Sequence, residues 1–319
     1  MTPSRLSARD LFAALAIVVI WGTNFVAMKT ALHDFTPFQL GAARYVLAAF
    51  PLLLFVRPPK MAWKWVVLYG LFQGVGQFGF LFVALRVGMT ASLASVLLQT
   101  QVFFTALFGL LLLREKIGRP LRWGLGIAAL GLACFGMNYM QPSAASAGAT
   151  TVLGFALSLA AASLWAASNI VVRLAQRDTP RFDALNFMVW ISVVPIVPFL
   201  LLTWFFDDAA TRWNWLHASW ASWTAAAYLG WIATVLAYAM WTGLLQRHPV
   251  NRVAPFSLGV PVVGLMAGML ALGEVVTGWQ WAGIALVVAS LACVLLGGRF
   301  ERSVRVAKPA QQDAHGGRP

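Results

Sequence analysis

Charge is scarce in this chain, and acidic charge is the scarcest. Only 10% of its 319 residues are charged, with Asp and Glu together numbering 10 against 23 Lys and Arg. A soluble domain carries about 25% charged residues. The shortage excludes a globule solvated by water, and a chain that is 60% hydrophobic has to be solvated by lipid. The acids are Asp10, Asp34, Glu115, Asp178, Asp183, Asp207, Asp208, Glu274, Glu301 and Asp313, all at the ends of apolar runs, between them or in the tail. A carboxylate at membrane depth is therefore not expected, which argues against export of cationic drugs, where such a group holds the cation or the proton. His33, His217, His248 and His315 also lie outside the runs, so no base or metal ligand is expected inside the membrane. Paired carboxylates, a metal-ligand cluster and a phosphate-cradling Gly loop are missing from the sequence. The expectation is a chain that is not an enzyme and has no catalytic residue, no metal and no cofactor. Cys134 and Cys293 are too few for a disulfide framework, and both fall in apolar runs as small hydrophobes.

What the chain does have is long apolar runs. A spanning helix needs about 20 such residues. Ten runs qualify, at roughly 10–30, 37–56, 63–85, 90–113, 121–140, 150–173, 183–206, 219–244, 252–273 and 279–298. Strand-like alternation is absent from them, so helices are the spanning option. The expected fold class is an all-α polytopic membrane protein with ten transmembrane helices. The basic first residues and the run after them imitate a signal peptide, but the run is long and the small-residue cleavage pattern is missing, which predicts an uncleaved first span.

The net charge of +13 does not point to nucleic acid, because the basic residues are spread over short connections rather than gathered on one patch. With the N-terminus in the cytoplasm, every Lys and Arg except Lys29, Arg44, Arg86 and Arg212 falls on the inner side. That asymmetry is the positive-inside pattern. It predicts a multi-pass membrane protein with both termini cytoplasmic, whose partners are the lipid bilayer and a small-molecule substrate. Residues 299–319 are polar, basic and Gly-rich, and are expected to form a disordered cytoplasmic tail.

The chain is also written twice. Trp21 and Trp165, and Lys29 and Arg173, are 144 positions apart. Tyr69 and Tyr228, Glu115 and Glu274, and Gly124 and Gly283 are 159 apart, the difference falling in the connection near 203–218. The expected units are 11–140, holding helices one to five, and 150–298, holding helices six to ten. An odd number of helices per unit turns the second copy upside down, which is the inverted-topology repeat of many secondary transporters.

Polar residues inside the runs are the candidate site. Gln73 and Gln77 are four apart on helix three, Ser92, Ser95 and Gln99 form a stripe on helix four with Gln101 beside it, and Asn24 and Asn169 occupy helices one and six. A buried amide without a partner is costly in lipid, so each of these either bonds a neighbouring helix or faces a wet cavity. Trp21 and Trp165 are deep enough to wall such a cavity. Arg44, about 10 Å into its helix, either snorkels to the boundary or anchors a substrate carboxylate. Lys29 and Arg173 are candidate charge anchors at helix ends. Gly70, Gly74, Gly264 and Gly268 read as close-packing positions.

These residues resemble the EamA family of the drug/metabolite transporter superfamily. The resemblance rests on Trp21-Gly22-Thr23-Asn24-Phe25, on Arg44 in helix two, on Leu113-Arg114-Glu115 at the end of helix four and on the recurrence of that pattern through Pro261 and Glu274. Ala94 through Thr105, and Arg252-Val253-Ala254-Pro255-Phe256-Ser257-Leu258, are similar to the branch that exports O-acetylserine and cysteine-pathway metabolites. Gln101 stands where the wider family has Pro. The resemblance implies an inner-membrane secondary exporter with a central cavity and alternating access, for O-acetylserine- or cysteine-like solutes. Export of an aromatic amino acid, nucleoside or drug stays open beside it, and a membrane-embedded enzyme or receptor subunit is the reading of another class.

Overall fold

The structure is a computed structural model that describes residues 7–114, 118–138, 150–180, 182–248 and 253–306. It is all-helical, with no strand among the described residues. Among the described residues, eight helices are long and apolar enough to cross a membrane: α1 (Ala8–Ala31), α2 (Pro37–Leu54), α3 (Trp63–Arg86), α4 (Ala91–Leu113), α5 (Arg119–Met137), α6 (Val152–Asp178), α7 (Ala184–Phe206) and α8 (Trp220–Leu244). Two shorter apolar helices follow, α9 (Phe256–Leu272) and α10 (Gly278–Val294). The backbone of the tenth is helical from Gly278 to Val306 and covers the expected 279–298, and that of the ninth is helical from 253 to 272, close to the expected 252–273. The ninth opens through the 3-10 turn Ala254–Leu258 and is ended by Gly273, whose φ is 64°. Helical backbone continues past α10 to Val306, so residues 299–306 of the expected tail are helical. Glu115, Arg252 and residues 307–319 lie outside the described residues.

Local chemistry sets the helix starts. The Thr36 hydroxyl accepts the Gln39 amide and the Gln39 side chain accepts the Thr36 amide, a capping box ahead of α2. Thr277 and Gln280 repeat it before α10. Ser7, Thr90, Thr151, Asp183 and Ser219 cap α1, α4, α6, α7 and α8. Each satisfies amide groups that the first helical turn leaves without partners.

Two helices hold π-helical stretches among the described residues. Gly70–Gln77 in α3 and Tyr228–Leu236 in α8 are π-helical. The widened turns push backbone and side chains off the ordinary helical register, a feature frequent at functional sites. In α4 a 3-10 turn at Leu98–Thr100 separates Ala91–Leu97 from Gln101–Leu113.

Packing follows a regular pattern. Helix α1 lies against α8 and α9, α6 lies against α3 and α4, α2 lies against α7 and α8, and α5 pairs with α10. Glycines permit the closest approaches. A Cβ on Gly74 would meet the Pro195 ring, one on Gly70 would meet Val194, and one on Gly264 would meet Ser95. Phe12, Leu112, Trp123, Phe205, Trp220 and Leu270 are exposed. In a membrane protein such apolar side chains face lipid, since no polar face is needed there.

Candidate functional site

A cavity of about 300 Å³ opens where α1, α2, α3, α4, α6, α8, α9 and α10 converge. Trp21 forms one wall with Tyr238 and Trp241, at ring-centroid separations of 5.1 and 5.5 Å. The Trp21 indole donates to the Ala233 carbonyl at 3.1 Å, tying α1 to the π-helical part of α8. Trp165 and Tyr69 line other parts of the surface. Most of the lining is apolar or aromatic, with polar groups at a few positions, the usual make-up of a small-molecule pocket.

Arg44 is the cation of this cavity. It is only 2% exposed, so it does not snorkel to the boundary. Its guanidinium carbon lies 3.8 Å from the centroid of the Phe78 ring. Nε and Nη2 both donate to the Thr234 hydroxyl, at 3.2 and 3.0 Å, and Thr234 donates onward to the Leu229 carbonyl at 2.8 Å. Nη1 has no partner. No carboxylate pairs with Arg44 among the described residues. A buried charge without a counter-charge costs several kcal/mol, of order, in a low-dielectric site.

The amides divide into two groups. Gln101, Thr105 and Asn169 form a network across α4 and α6, with Asn169 Nδ2 donating to Gln101 Oε1 at 2.8 Å and to Thr105 Oγ1 at 3.1 Å. Gln99 Nε2 donates to the Ser257 carbonyl at 3.2 Å, joining α4 to the turn before α9. These residues line the cavity and bond a neighbouring helix at once. Asn24 and Gln77 also line it, but the Asn24 Oδ1 and Gln77 Oε1 atoms are buried with no hydrogen-bond partner. Of the α4 stripe, Ser92 and Ser95 bond the Leu265 and Pro261 carbonyls of α9, and Ser95 touches the cavity as well.

Besides Ser92, three candidates from the sequence are not among the lining residues. Gln73 is buried one layer back, where its Nε2 donates to the Tyr238 hydroxyl at 2.9 Å. Lys29 is spent on backbone, donating to the Leu85 and Met89 carbonyls at 2.6 and 3.0 Å. Arg173 lies near the end of α6, away from the lining. Thr234, Tyr238 and Tyr69 were not expected. Their signal is a polar atom inside an apolar run, the same rule that singled out the amides.

Both ends of the bundle are held by polar contacts. At one end Asp34 accepts from the Ser219 amide and hydroxyl at 2.8 and 2.5 Å. Thr36 donates to Asp207 at 2.5 Å, and Gln39 Nε2 donates to the Thr211 and Arg212 carbonyls. Bonding from Ser219, and then from His33, holds the Asp34 carboxyl well below the usual aspartate range. Burial raises that of Asp207. Glu274 accepts from the Ala91 and Ser92 amides at this end. At the other end Asp10 bonds Arg247 at 3.0 Å and His248 at 2.9 Å, and Asp178 bonds the Trp65 indole at 2.9 Å with Lys64 at 3.5 Å. Among the described residues there is no group of three or more His, Cys, Asp or Glu suited to a metal ion.

Comparison with known proteins agrees with this architecture. The model of the EamA-like transporter family matches residues 9–137 and 152–296. The chain is 38% identical to the "Probable amino-acid metabolite efflux pump" of Salmonella typhimurium (strain LT2) over 304 residues, covering 95% of this chain and 100% of the relative. A protein of the same description in Escherichia coli (strain K12) is 36% identical over 305 residues, covering 94% and 99%. A solved crystal structure at 18% identity superimposes with a TM-score of 0.59 over 93% of this chain and all of that one, a likeness of fold. With a family match through nearly all its helices, the chain is a multi-pass membrane protein that belongs to the EamA-like transporter family.

Proposed function

We propose that this protein is an inner-membrane secondary transporter that exports small amino-acid metabolites of the O-acetylserine and cysteine kind. The observation that carries the proposal is Arg44, a buried cation beside a central cavity with an unpartnered Nη1 and no carboxylate of its own among the described residues. A substrate carboxylate supplies that counter-charge. The cavity of about 300 Å³ lies at the small end of ligand pockets, about 300–1,000 Å³. The two relatives described as amino-acid metabolite efflux pumps support the same class. Gln99, Gln101 and Asn169 add hydrogen-bonding capacity, and Trp21 and Trp165 close the walls. Gln73, Lys29 and Arg173 serve as helix-to-helix or boundary contacts.

The mechanism proposed is alternating access between two inverted five-helix units, with both termini cytoplasmic. Exchanging helix n for n + 5 turns the α1 contacts with α8 and α9 into the α6 contacts with α3 and α4, and returns α2–α7 and α5–α10 to themselves. The 159-residue offset carries Gly70–Gln77 onto residues within Tyr228–Leu236, both π-helical. It also carries Arg114 onto Gly273, the left-handed ends of α4 and α9, with φ of 55° and 64°. These correspondences support the inverted repeat, and Trp21, Arg44 and Gln73 reach across from one unit to the other.

The proposal is tested with purified protein in liposomes loaded with labelled O-acetylserine or cysteine. Efflux above protein-free vesicles, reduced at least tenfold by Arg44→Met, is expected. No flux of either solute overturns it. The aromatic wall of Trp21, Tyr69, Tyr238 and Trp241 favours a second reading, an aromatic amino acid, which labelled phenylalanine tests in the same vesicles.

A further inference from the structure

We propose that the cavity recognises both charges of a single α-amino acid, taking the carboxylate at Arg44 and a free α-ammonium at Asn24 and Gln77. This inference rests on the amino-acid reading above and adds a specificity to it. Arg44, Asn24 and Gln77 are 2%, 7% and 2% exposed, and all three line the cavity. Each has a buried polar atom without a partner: a guanidinium nitrogen, which donates, and two amide oxygens, which accept. Within a protein, buried polar atoms are paired, and exceptions call for an explanation. A ligand that completes all three has to present an anionic acceptor group and several donors. A carboxylate is acceptor-only and an ammonium is donor-only, so a zwitterion matches the inventory.

The same inventory rejects the two half-molecules. An amine without a carboxylate places a second cation near Arg44 in a low-dielectric site, where like charges repel strongly. An N-acylated amino acid keeps the carboxylate but offers one N–H in place of three, and leaves an amide oxygen unpaired. Thr234 fixes which part of Arg44 is free. By holding Nε and Nη2 on one hydroxyl, it leaves Nη1 as the unpartnered donor. Recognition at a free ammonium therefore selects an amino acid whose nitrogen is unmodified and whose variation lies in the side chain, against the aromatic wall.

The test is competition in liposomes carrying the full-length protein, with labelled L-cysteine and labelled L-serine as tracers. Unlabelled L-serine, N-acetyl-L-serine and ethanolamine are the competitors. Both N-acetyl-L-serine and ethanolamine are expected to compete at least tenfold less well than L-serine, the loss of one or more charge-assisted hydrogen bonds. In the variant combining Asn24→Leu with Gln77→Leu, the gap between L-serine and N-acetyl-L-serine is expected to close. The competitor series on the unaltered protein stands even where that variant does not fold. If either half-molecule competes within twofold of L-serine, the two-charge recognition is overturned while transport stands. If neither tracer moves above protein-free vesicles, nor does O-acetylserine, the proposed function falls and this inference falls with it.

Discussion

Glu274, just beyond α9, caps the start of α4: its two carboxylate oxygens accept the amides of Ala91 and Ser92 at 2.7 and 2.8 Å. The bonds join the end of one helix to the beginning of another 183 positions earlier in the chain. They place a full negative charge where the α4 dipole is positive. Thr90 caps the same turn by accepting the Leu93 amide at 3.3 Å, so the first turn of α4 is satisfied from two directions.

Removing the Glu274 charge should loosen this junction without emptying the cavity. Glu274→Gln is expected to cost about 1 kcal/mol, in the range of a lost cap and dipole contact. Glu274→Ala, which leaves two amides without acceptors, is expected to cost about 1–3 kcal/mol. Thermal unfolding of the detergent-solubilised protein reads both. Equal melting temperatures for wild type and Glu274→Ala would show that the cap contributes nothing.

Thr234 is bonded to Arg44 and does not line the cavity, so in the proposed site it reaches substrate only through Arg44. In Thr234→Val the guanidinium keeps its place over Phe78 but loses the acceptor of Nε and Nη2. An uncompensated buried donor set costs about 1–3 kcal/mol. Transport is expected to fall roughly tenfold, through weaker apparent affinity rather than a slower maximal rate, because the cation is misaimed rather than absent. Thr234→Ser restores the hydroxyl and should recover most of the loss. Full activity in Thr234→Val would remove Thr234 from the site.

How much of this was legible beforehand follows from the physics of each residue. Apolar runs marked the helices because lipid imposes a length and forbids unpaired backbone, so the eight long helices sit close to the runs at roughly 10–244. The π-helical stretches in α3 and α8 were not legible, since they arise from packing between helices and not from any local propensity. The amides announced themselves as polar atoms in lipid, but their partners did not. Gln73 bonds Tyr238 behind the cavity while Gln77, four residues on, lines it, and a sequence periodicity alone puts both on one face. The π-helical winding of Gly70–Gln77 breaks that periodicity. Arg44, about 10 Å into its helix, and Lys29, nearer a helix end, were both open to reading as boundary or substrate cations. The structure separates them, burying one beside the cavity and spending the other on backbone carbonyls.

The Asp34–Ser219 contact predicts a particular response to acid. The folded carboxyl titrates below the ordinary aspartate value, so its contribution is fully present above about pH 3.9 and is lost as pH falls further, through the folded value. Between pH 7 and 5 this group should leave stability unchanged. Asp34→Asn should lower the melting temperature across that interval, and the difference from wild type should shrink on going to pH 3. A difference that stays constant down to pH 3 would mean that the Asp34 charge plays no part.

Gly268 explains why Glu274 reaches α4 at all. A Cβ at this position would lie 2.2 Å from Ser92 Oγ and 2.5 Å from Glu274 Oε2, closer than carbon approaches either atom. Ser92 is fully buried and holds the Leu265 carbonyl, so it has little room to yield. The carboxylate is the freer of the two, and Gly268→Ala should push it away from the Ala91 and Ser92 amides. The single substitution is then expected to destabilise by about 1–3 kcal/mol, the usual cost of overpacking. Part of that cost is the loss of the Glu274 cap, which can be lost only once. The double variant Gly268→Ala with Glu274→Ala should therefore be more stable than the two single costs added together, by about 0.5 kcal/mol or more. Denaturation of all four proteins in the same detergent measures this. Strict additivity would mean that the glycine accommodates Ser92 alone and that the cap forms independently of it.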